Sequence, residues 1–173
     1  DFWRARLAAL ADWFDAYERD RSHPPEQVWV EVDGCLTWEI AGQPFTLTAK
    51  ADRLDRCADG SYRIIDYKTG QPPTQKAIDA HIAVQMTLEA AMLARGGFAA
   101  HGVGDGAVSS LEYLQLSGRY PPGQVRHVRV GDGLFDQTLE SVAHLIAAYR
   151  DAGKPYISQA RPDLIKFESR YDH

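Results

Sequence analysis

The stretch that decides the fold spans residues 46–70 and reads TLTAKADRLDRCADGSYRIIDYKTG. Two runs of alternating residues, typical of β-strands, flank the turn signal ADG at positions 58–60. A three-residue loop with Gly60 in the left-handed conformation predicts an antiparallel hairpin in which Cys57 faces Ser61. Each strand carries an aspartate near its middle, and this register brings the two aspartates to one face of the sheet.

These aspartates are Asp52 and Asp66, and Lys68 projects to the same face roughly 7 Å farther along its strand. Like charges that face each other destabilise a sheet. A divalent cation is the simplest reason to keep two carboxylates there, with a lysine beside them, because hard cations prefer oxygen ligands. The pattern therefore predicts a metal-dependent phosphodiesterase site.

A two-residue turn at positions 59–60 is the competing interpretation, and it would turn Asp66 to the face opposite Asp52. We favour the three-residue loop because it matches more residues. It sets Asp55 opposite Arg63 as an ion pair on the reverse face. Asp55 is therefore interpreted as a structural partner of Arg63 and not as a site residue.

Composition is that of a globular protein, with 45% hydrophobic and 25% charged residues in 173. We expect one domain over 1–173, excised from a longer protein, because no initiating Met is present and the chain opens inside an amphipathic helix. No apolar run approaches the roughly 20 residues of a membrane span. The net charge of −5 argues against a nucleic-acid-coating protein, although metal-binding carboxylates contribute to that count. Cys35 and Cys57 lack the spacing of a zinc or iron–sulfur site.

Periodicity predicts a mixed α/β fold in which helices flank a central sheet. The residues Asp33 and Gly34 are interpreted as a turn, and the tail 156–173 is expected to pack back on the domain. Helices are predicted over 2–19, 77–95 and 134–150, and strands over 28–32, 36–40, the two arms of the hairpin, 108–116 and 125–130.

Three segments carry a family resemblance: LTAKADRLD at 47–55, IIDYKTG at 64–70 and VQMTLEAA at 84–91. Together they resemble the RecB-like branch of the PD-(D/E)xK nuclease superfamily, whose core is restriction-endonuclease-like. Within that branch the chain is most similar to the C-terminal nuclease domains of the AddB family. A bare D-x-K occurs by chance in many proteins, whereas IIDYKTG after an aspartate-bearing strand is a specific signal.

The resemblance implies roles for five residues. Mg²⁺, or Mn²⁺ in its place, would be held by Asp52, Asp66 and the backbone carbonyl of Tyr67. Lys68 would stabilise developing negative charge or position the attacking water. Gln85, on the following helix, would support the metal site or the DNA backbone.

Two departures from the family pattern affect the interpretation, and one further acidic residue, Glu31, has two possible interpretations. The family motif Gln-x-x-x-Tyr has Glu89 at its last position here, either facing the site or as an ordinary exposed glutamate. Glu31 is either near the metal or a solvent-facing strand residue. The opening helix lacks the metal-binding histidine of many RecB-like nucleases, so we expect that ligand upstream of residue 1; His81 is interpreted as a surface residue.

The implied function is a Mg²⁺-dependent exonuclease that digests single-stranded DNA from an unwound duplex during double-strand break repair. The implied partner is a helicase–nuclease subunit of the AddA type, in the bacterial cytoplasm at the nucleoid, without a membrane. A non-catalytic, nuclease-like module that binds DNA or protein is the alternative. A Cas4-like exonuclease is disfavoured because such proteins carry four cluster-binding cysteines and this chain has two.

Basic residues near the predicted site are candidates for contact with phosphates, and three aromatic residues are interpreted as core or sheet-face residues. Contact with phosphates would make DNA binding depend on salt. The basic candidates are Arg53, Arg56, Lys76 and Arg95, and the aromatic residues are Trp29, Trp38 and Tyr113.

Overall fold

The computed structural model describes residues 2–21 and 23–155 of the chain. The elements follow the order α1 (Phe2–Arg19), β1 (Gln27–Ile40), β2 (Gln43–Arg56), β3 (Tyr62–Lys68), α2 (Gln75–Asp79), α3 (Gln85–Leu93), β4 (Val108–Leu116), β5 (Gly123–Val128) and α4 (Leu134–Tyr149). The five strands form a sheet in the order β1-β2-β3-β4-β5, with β3 and β4 parallel and the other neighbours antiparallel. The predicted α/β class, a mixed sheet flanked by helices, is confirmed.

The hairpin of β2 and β3 has the predicted three-residue loop. The Cys57 N–H donates to the Ser61 carbonyl at 2.8 Å, and Gly60 has a φ of +82°. The ladder sets Leu54 opposite Ile64. The competing two-residue turn is therefore wrong.

The turn expected at Asp33 and Gly34 is wrong, because both residues lie inside the continuous strand β1. A Cβ at Gly34 would stand 2.4 Å from Cε1 of Phe98, whose ring is buried. The Cys35 N–H beside it donates to the Gly97 carbonyl at 2.8 Å. The glycine thus allows another segment to approach the strand closely. From the sequence alone, the same glycine is equally consistent with a turn.

Side-chain alternation shifts by one residue halfway along the β1–β2 hairpin. Leu54 and Ala51 on β2 belong to the same buried core cluster although they are three residues apart, whereas a regular strand would turn them to opposite faces. The shift on β1 occurs at Glu31, which has a φ of +53°. This irregularity lies at the level of Asp52, and the pairing of β1 with β2 continues beyond it with Val32 opposite Ala51.

Helices cover both faces of the sheet. On one face, α1 places Phe14 against Tyr67, with ring centroids 6.3 Å apart, and its Tyr17 hydroxyl donates to Glu112 at 2.8 Å. On the opposite face, α3 buries Met86 and most of its other side chains against the strands and α4. The core between α3 and the sheet therefore lies directly beside the hairpin.

Two predicted boundaries differ from those observed. The helix expected over 77–95 is divided into α2 and α3, with His81 between them at a φ of +52°. Thr74 caps α2, since its hydroxyl accepts the Ala77 N–H at 3.2 Å. The last strand spans Gly123–Val128, not 125–130. The tail 156–173 lies outside the described residues.

None of the helices in the described part of the chain is long and apolar enough to cross a membrane.

Candidate active site

Asp52 lies where the pairing of β2 with β3 ends. The ladder runs to Arg53 opposite Ile65, so the next N–H of β3, that of Tyr67, needs another acceptor. Asp52 Oδ2 accepts it at 2.9 Å. The carboxylate thus replaces a backbone carbonyl of the ladder, and the hydrogen bond fixes it against β3.

Asp66 and Lys68 form a close pair on one face of β3. Asp66 is 1% exposed, and Lys68 Nζ lies 2.9 Å from its Oδ1 and 2.7 Å from its Oδ2. Only the Oδ1 contact has hydrogen-bond geometry, which leaves Oδ2 buried without a hydrogen bond from the described residues. Lys68 Nζ also lies 5.9 Å from the ring centroid of Tyr113.

Gln85, at the start of α3, connects the members of the site. Its Nε2 donates to Asp66 Oδ1 at 2.8 Å and to Glu89 Oε1 at 3.2 Å, and its Oε1 accepts from Lys68 Nζ at 3.2 Å. Gln85 and Glu89 are i, i+4 neighbours on the same helix face. Because Glu89 is only 2% exposed, the alternative of an ordinary exposed glutamate is wrong.

Three groups in the site have raised pKa values. Burial raises the pKa of Asp66, and the Asp52 charge adds to this, while Lys68 and Gln85 act in the opposite direction. Burial and then the charges of Asp66 and Asp52 raise the pKa of Glu89 to about 7. Burial, followed by the same kind of repulsion from Asp66 and Glu89, raises the pKa of Tyr113 to about 12. The site therefore holds more negative charge than Lys68 offsets.

The donor set fits a hard divalent cation. Asp66 offers a buried oxygen without a hydrogen bond, Asp52 retains one free carboxylate oxygen, and Glu89 lies close to both. Within residues 2–21 and 23–155, no three His, Cys, Asp or Glu side chains by themselves form a metal-binding cluster. Mg²⁺ commonly takes one or two carboxylates and keeps water or phosphate oxygens, so two aspartates suffice for it.

Two further residues considered from the sequence lie apart from this cluster. Glu31 is exposed and pairs with Lys50 at 2.5 Å, in agreement with the solvent-facing alternative. His81 faces α4, where its Nδ1 lies 3.3 Å from the Thr138 hydroxyl.

The ion pair expected between Asp55 and Arg63 is wrong. They are opposite each other in the ladder, but Asp55 is bound by Arg53 at 2.7 Å and by Arg21, and Arg63 lies 3.1 Å from Glu112. Helix α1 supplies Glu18 and covers this face, which the hairpin pattern alone did not reveal. Asp55 nevertheless lies away from the site, as expected for a structural residue.

Arg53 is not free to contact phosphates, whereas Arg95 is exposed and its role stays a prediction. Arg53 is 6% exposed and is held by Glu18 and Asp55, which contradicts its expected role. Arg95 pairs with Asp136 at 2.5 Å. Arg56 and Lys76 are exposed, and their role stays a prediction.

Tyr113 belongs to the site as well as to the core. It was expected only as a core or sheet-face aromatic, and it is indeed 2% exposed. The parallel pairing of β3 with β4 sets it directly opposite Asp66. The two strands lie 40 residues apart in the sequence, and no sequence pattern indicated how they pair. The neighbours of Tyr113 could therefore not be predicted.

Fold and site together define a class of protein. One strand of the mixed sheet carries an aspartate, and the neighbouring strand carries the Asp-x-Lys motif. A helix packs next to these residues and contributes a glutamine that donates to the second aspartate, as in restriction-endonuclease-like α/β domains. The chain belongs to the PD-(D/E)XK nuclease superfamily, whose family model matches residues 1–161.

Similar proteins extend well beyond the matched region. The chain is 32% identical over 115 residues to an uncharacterised protein of Rickettsia typhi, and 32% identical over 96 residues to one of Rickettsia felis. These segments cover 66% and 56% of this chain but only 13% and 11% of the two relatives. Among solved structures, that of SSO0001 aligns with a TM-score of 0.41 and 10% identity, over 79% of this chain and 57% of that one.

Proposed function

We propose that the chain is a metal-dependent deoxyribonuclease domain that hydrolyses phosphodiester bonds of single-stranded DNA. The observation that supports this most directly is the contact of Lys68 with Asp66 and Gln85, next to the Asp52 carboxylate. Membership of the nuclease superfamily supports the same conclusion.

Mg²⁺ is the proposed cofactor, with Mn²⁺ as a substitute. Asp52 and Asp66 would hold the ion, with the Tyr67 backbone carbonyl as a further ligand. A divalent cation there would polarise a phosphate oxygen and lower the pKa of water. The ion would also offset the repulsion that, in addition to burial, raises the pKa of Asp66 and Glu89.

Lys68 is proposed to stabilise negative charge on the phosphate during hydrolysis. Its ammonium is oriented by two acceptors, Asp66 Oδ1 and Gln85 Oε1. Fixed donors aimed at developing charge accelerate reactions because they need no reorganisation when the charge appears. Gln85 is thus a positioning residue for the lysine.

The biological setting is proposed from the resemblance to AddB-type nuclease domains. The single strand would come from a duplex unwound by an AddA-type helicase–nuclease partner during resection of double-strand breaks. The protein would act in the bacterial cytoplasm at the nucleoid. The greater length of the matched relatives is consistent with a nuclease domain carried by a larger protein.

The test is cleavage of end-labelled single-stranded DNA with Mg²⁺. We expect Lys68→Ala to lower the rate by at least roughly 100-fold, the order seen when one transition-state donor is lost. Asp66→Asn, which removes a proposed ligand of the ion, should lower it at least as much. Asp132→Asn, which removes an exposed carboxylate from a loop, is the matched control and should cut like the wild type. Wild-type rates in a folded Lys68→Ala variant would refute the proposal, and binding of DNA without cleavage by the wild type would favour the non-catalytic module.

A further inference from the structure

A groove of roughly 480 Å³ opens beside the site, between the start of α2 and β5. Tyr113 lines this groove and also lies beneath the Lys68 ammonium. The groove and the site therefore share Tyr113, which places the groove next to the site on the side of β5.

The sheet register places a basic residue on the wall of this groove. Asp66 on β3 is opposite Tyr113 on β4, and Tyr113 is opposite Arg126 on β5. Residues directly opposite each other project to the same face, so Arg126 shares the face of Asp66 about 10 Å away, two strand spacings across the sheet. The neighbouring pair confirms this alternation, because His127 lies 3.7 Å from Glu112 on the reverse face.

Arg126 and Arg129 are available cations. Both are exposed, and neither side chain has an ion-pair partner among residues 2–21 and 23–155. The backbone at Arg129 is fixed, since its N–H donates to Gln75 Oε1 and its carbonyl accepts from Gln75 Nε2, each at 3.0 Å. By contrast, Arg53 and Arg95 are bound by carboxylates.

A polyanion brought to three clustered carboxylates needs compensating charge nearby, and the chain as a whole carries −5. Guanidinium groups bind phosphate oxygens in a bidentate fashion and stay charged at any working pH. We propose that Arg126 and Arg129 bind backbone phosphates of the single strand that flank the phosphate at Asp66, so that the strand runs through the groove along β5. This inference rests on the proposed function and adds to it the path of the substrate.

The test measures binding apart from cleavage. Affinity of the chain for fluorescein-labelled oligothymidine is measured by anisotropy, with Ca²⁺ in place of Mg²⁺, over a series of salt concentrations. Arg126→Gln should weaken binding several-fold at low salt and reduce the slope of log K against log salt by about 0.7, the value for one phosphate contact on a single strand. Arg129→Gln should do the same, and Arg126→Lys should restore the slope.

Arg4→Gln is the matched control, because Arg4 is exposed on α1, which packs on the other face of the sheet. It should bind with the wild-type affinity and slope. An unchanged slope in the folded Arg126→Gln variant would overturn the inference, as would an equal loss in Arg4→Gln. If Lys68→Ala loses cleavage while Arg126→Gln binds DNA like the wild type, the proposed path of the strand along the groove is refuted. The proposed nuclease function is then unaffected.

Discussion

At the scale of single residues, Glu89 is a buried carboxyl group whose charged form the folded site disfavours. Its carboxyl is buried beside Asp66 and Asp52, which raises its pKa from 4.5 to about 7. A carboxyl with a raised pKa keeps its proton in the folded state after the unfolded chain has lost it. The contribution of Glu89 to the free energy of unfolding therefore falls as pH rises from about 4.5 to about 7 and then levels off.

We expect Glu89→Gln to remove this fall, since glutamine is uncharged and its amide oxygen still accepts from Gln85. In EDTA, the variant should be more stable than the wild type at pH 8 by about 1–3 kcal/mol and similar to it at pH 4. Urea unfolding at a series of pH values measures this difference. Glu140→Gln on the exposed side of α4 is the control, and parallel pH profiles for Glu89→Gln and wild type would contradict the prediction.

At the scale of elements, a charged network joins α1 to the hairpin on the face opposite the site. Arg53 donates to Glu18 at 2.6 Å and to Asp55 at 2.7 Å, and Asp55 is fully buried. Arg21 also binds Asp55. The network fixes α1 against β2 at a position one residue away from Asp52, so it supports the site from the opposite face of the sheet.

Removal of Arg53 should be costly because it takes charge-assisted hydrogen bonds away from the buried Asp55 carboxylate, which keeps only Arg21 as a partner. We expect Arg53→Met to lower the free energy of unfolding by about 1.5–3 kcal/mol. Chemical denaturation measures the loss, and Arg56→Met, at an exposed position on the same strand, should stay within about 0.5 kcal/mol of the wild type. Equal effects of the two substitutions would show that the network does not hold α1 in place.

At the scale of the whole molecule, the uncompensated carboxylates predict that a divalent cation stabilises the fold. A ligand that binds only the folded state adds about 2.7 kcal/mol at a concentration of 100 Kd. For a chain of this length, that corresponds to a rise in Tm of roughly 5–10 °C. We expect this rise with Mg²⁺ and not with K⁺ at matched ionic strength.

In the Asp66→Asn variant, addition of Mg²⁺ should raise the Tm much less than it does in the wild type. Differential scanning calorimetry measures both proteins. The same rise in the variant would mean that the stabilising ion binds away from Asp66.

Much of this architecture could be predicted because it depends on local pattern. Alternation and a turn signal gave the register of β2 and β3, and the spacing of Asp66 and Lys68 gave their common face. Helical periodicity gave α1 and α4 with ends close to those observed. One error arose because a residue has two structural uses: Gly34 permits close approach of Phe98 and does not form a turn. Another arose because partners from a distant segment, α1, bind Asp55 and Arg53.

The sequence by itself determined the hairpin, the class of fold and the aspartates and lysine of the candidate site, because side chains two residues apart on a strand share a face whatever surrounds them. Only the tertiary structure decided which charges are buried and which are free. It enclosed Arg53 and Glu89 and placed Arg126 in line with Tyr113 and Asp66. The reason is physical: burial and strand order depend on segments far apart in the chain, and no local spacing encodes them.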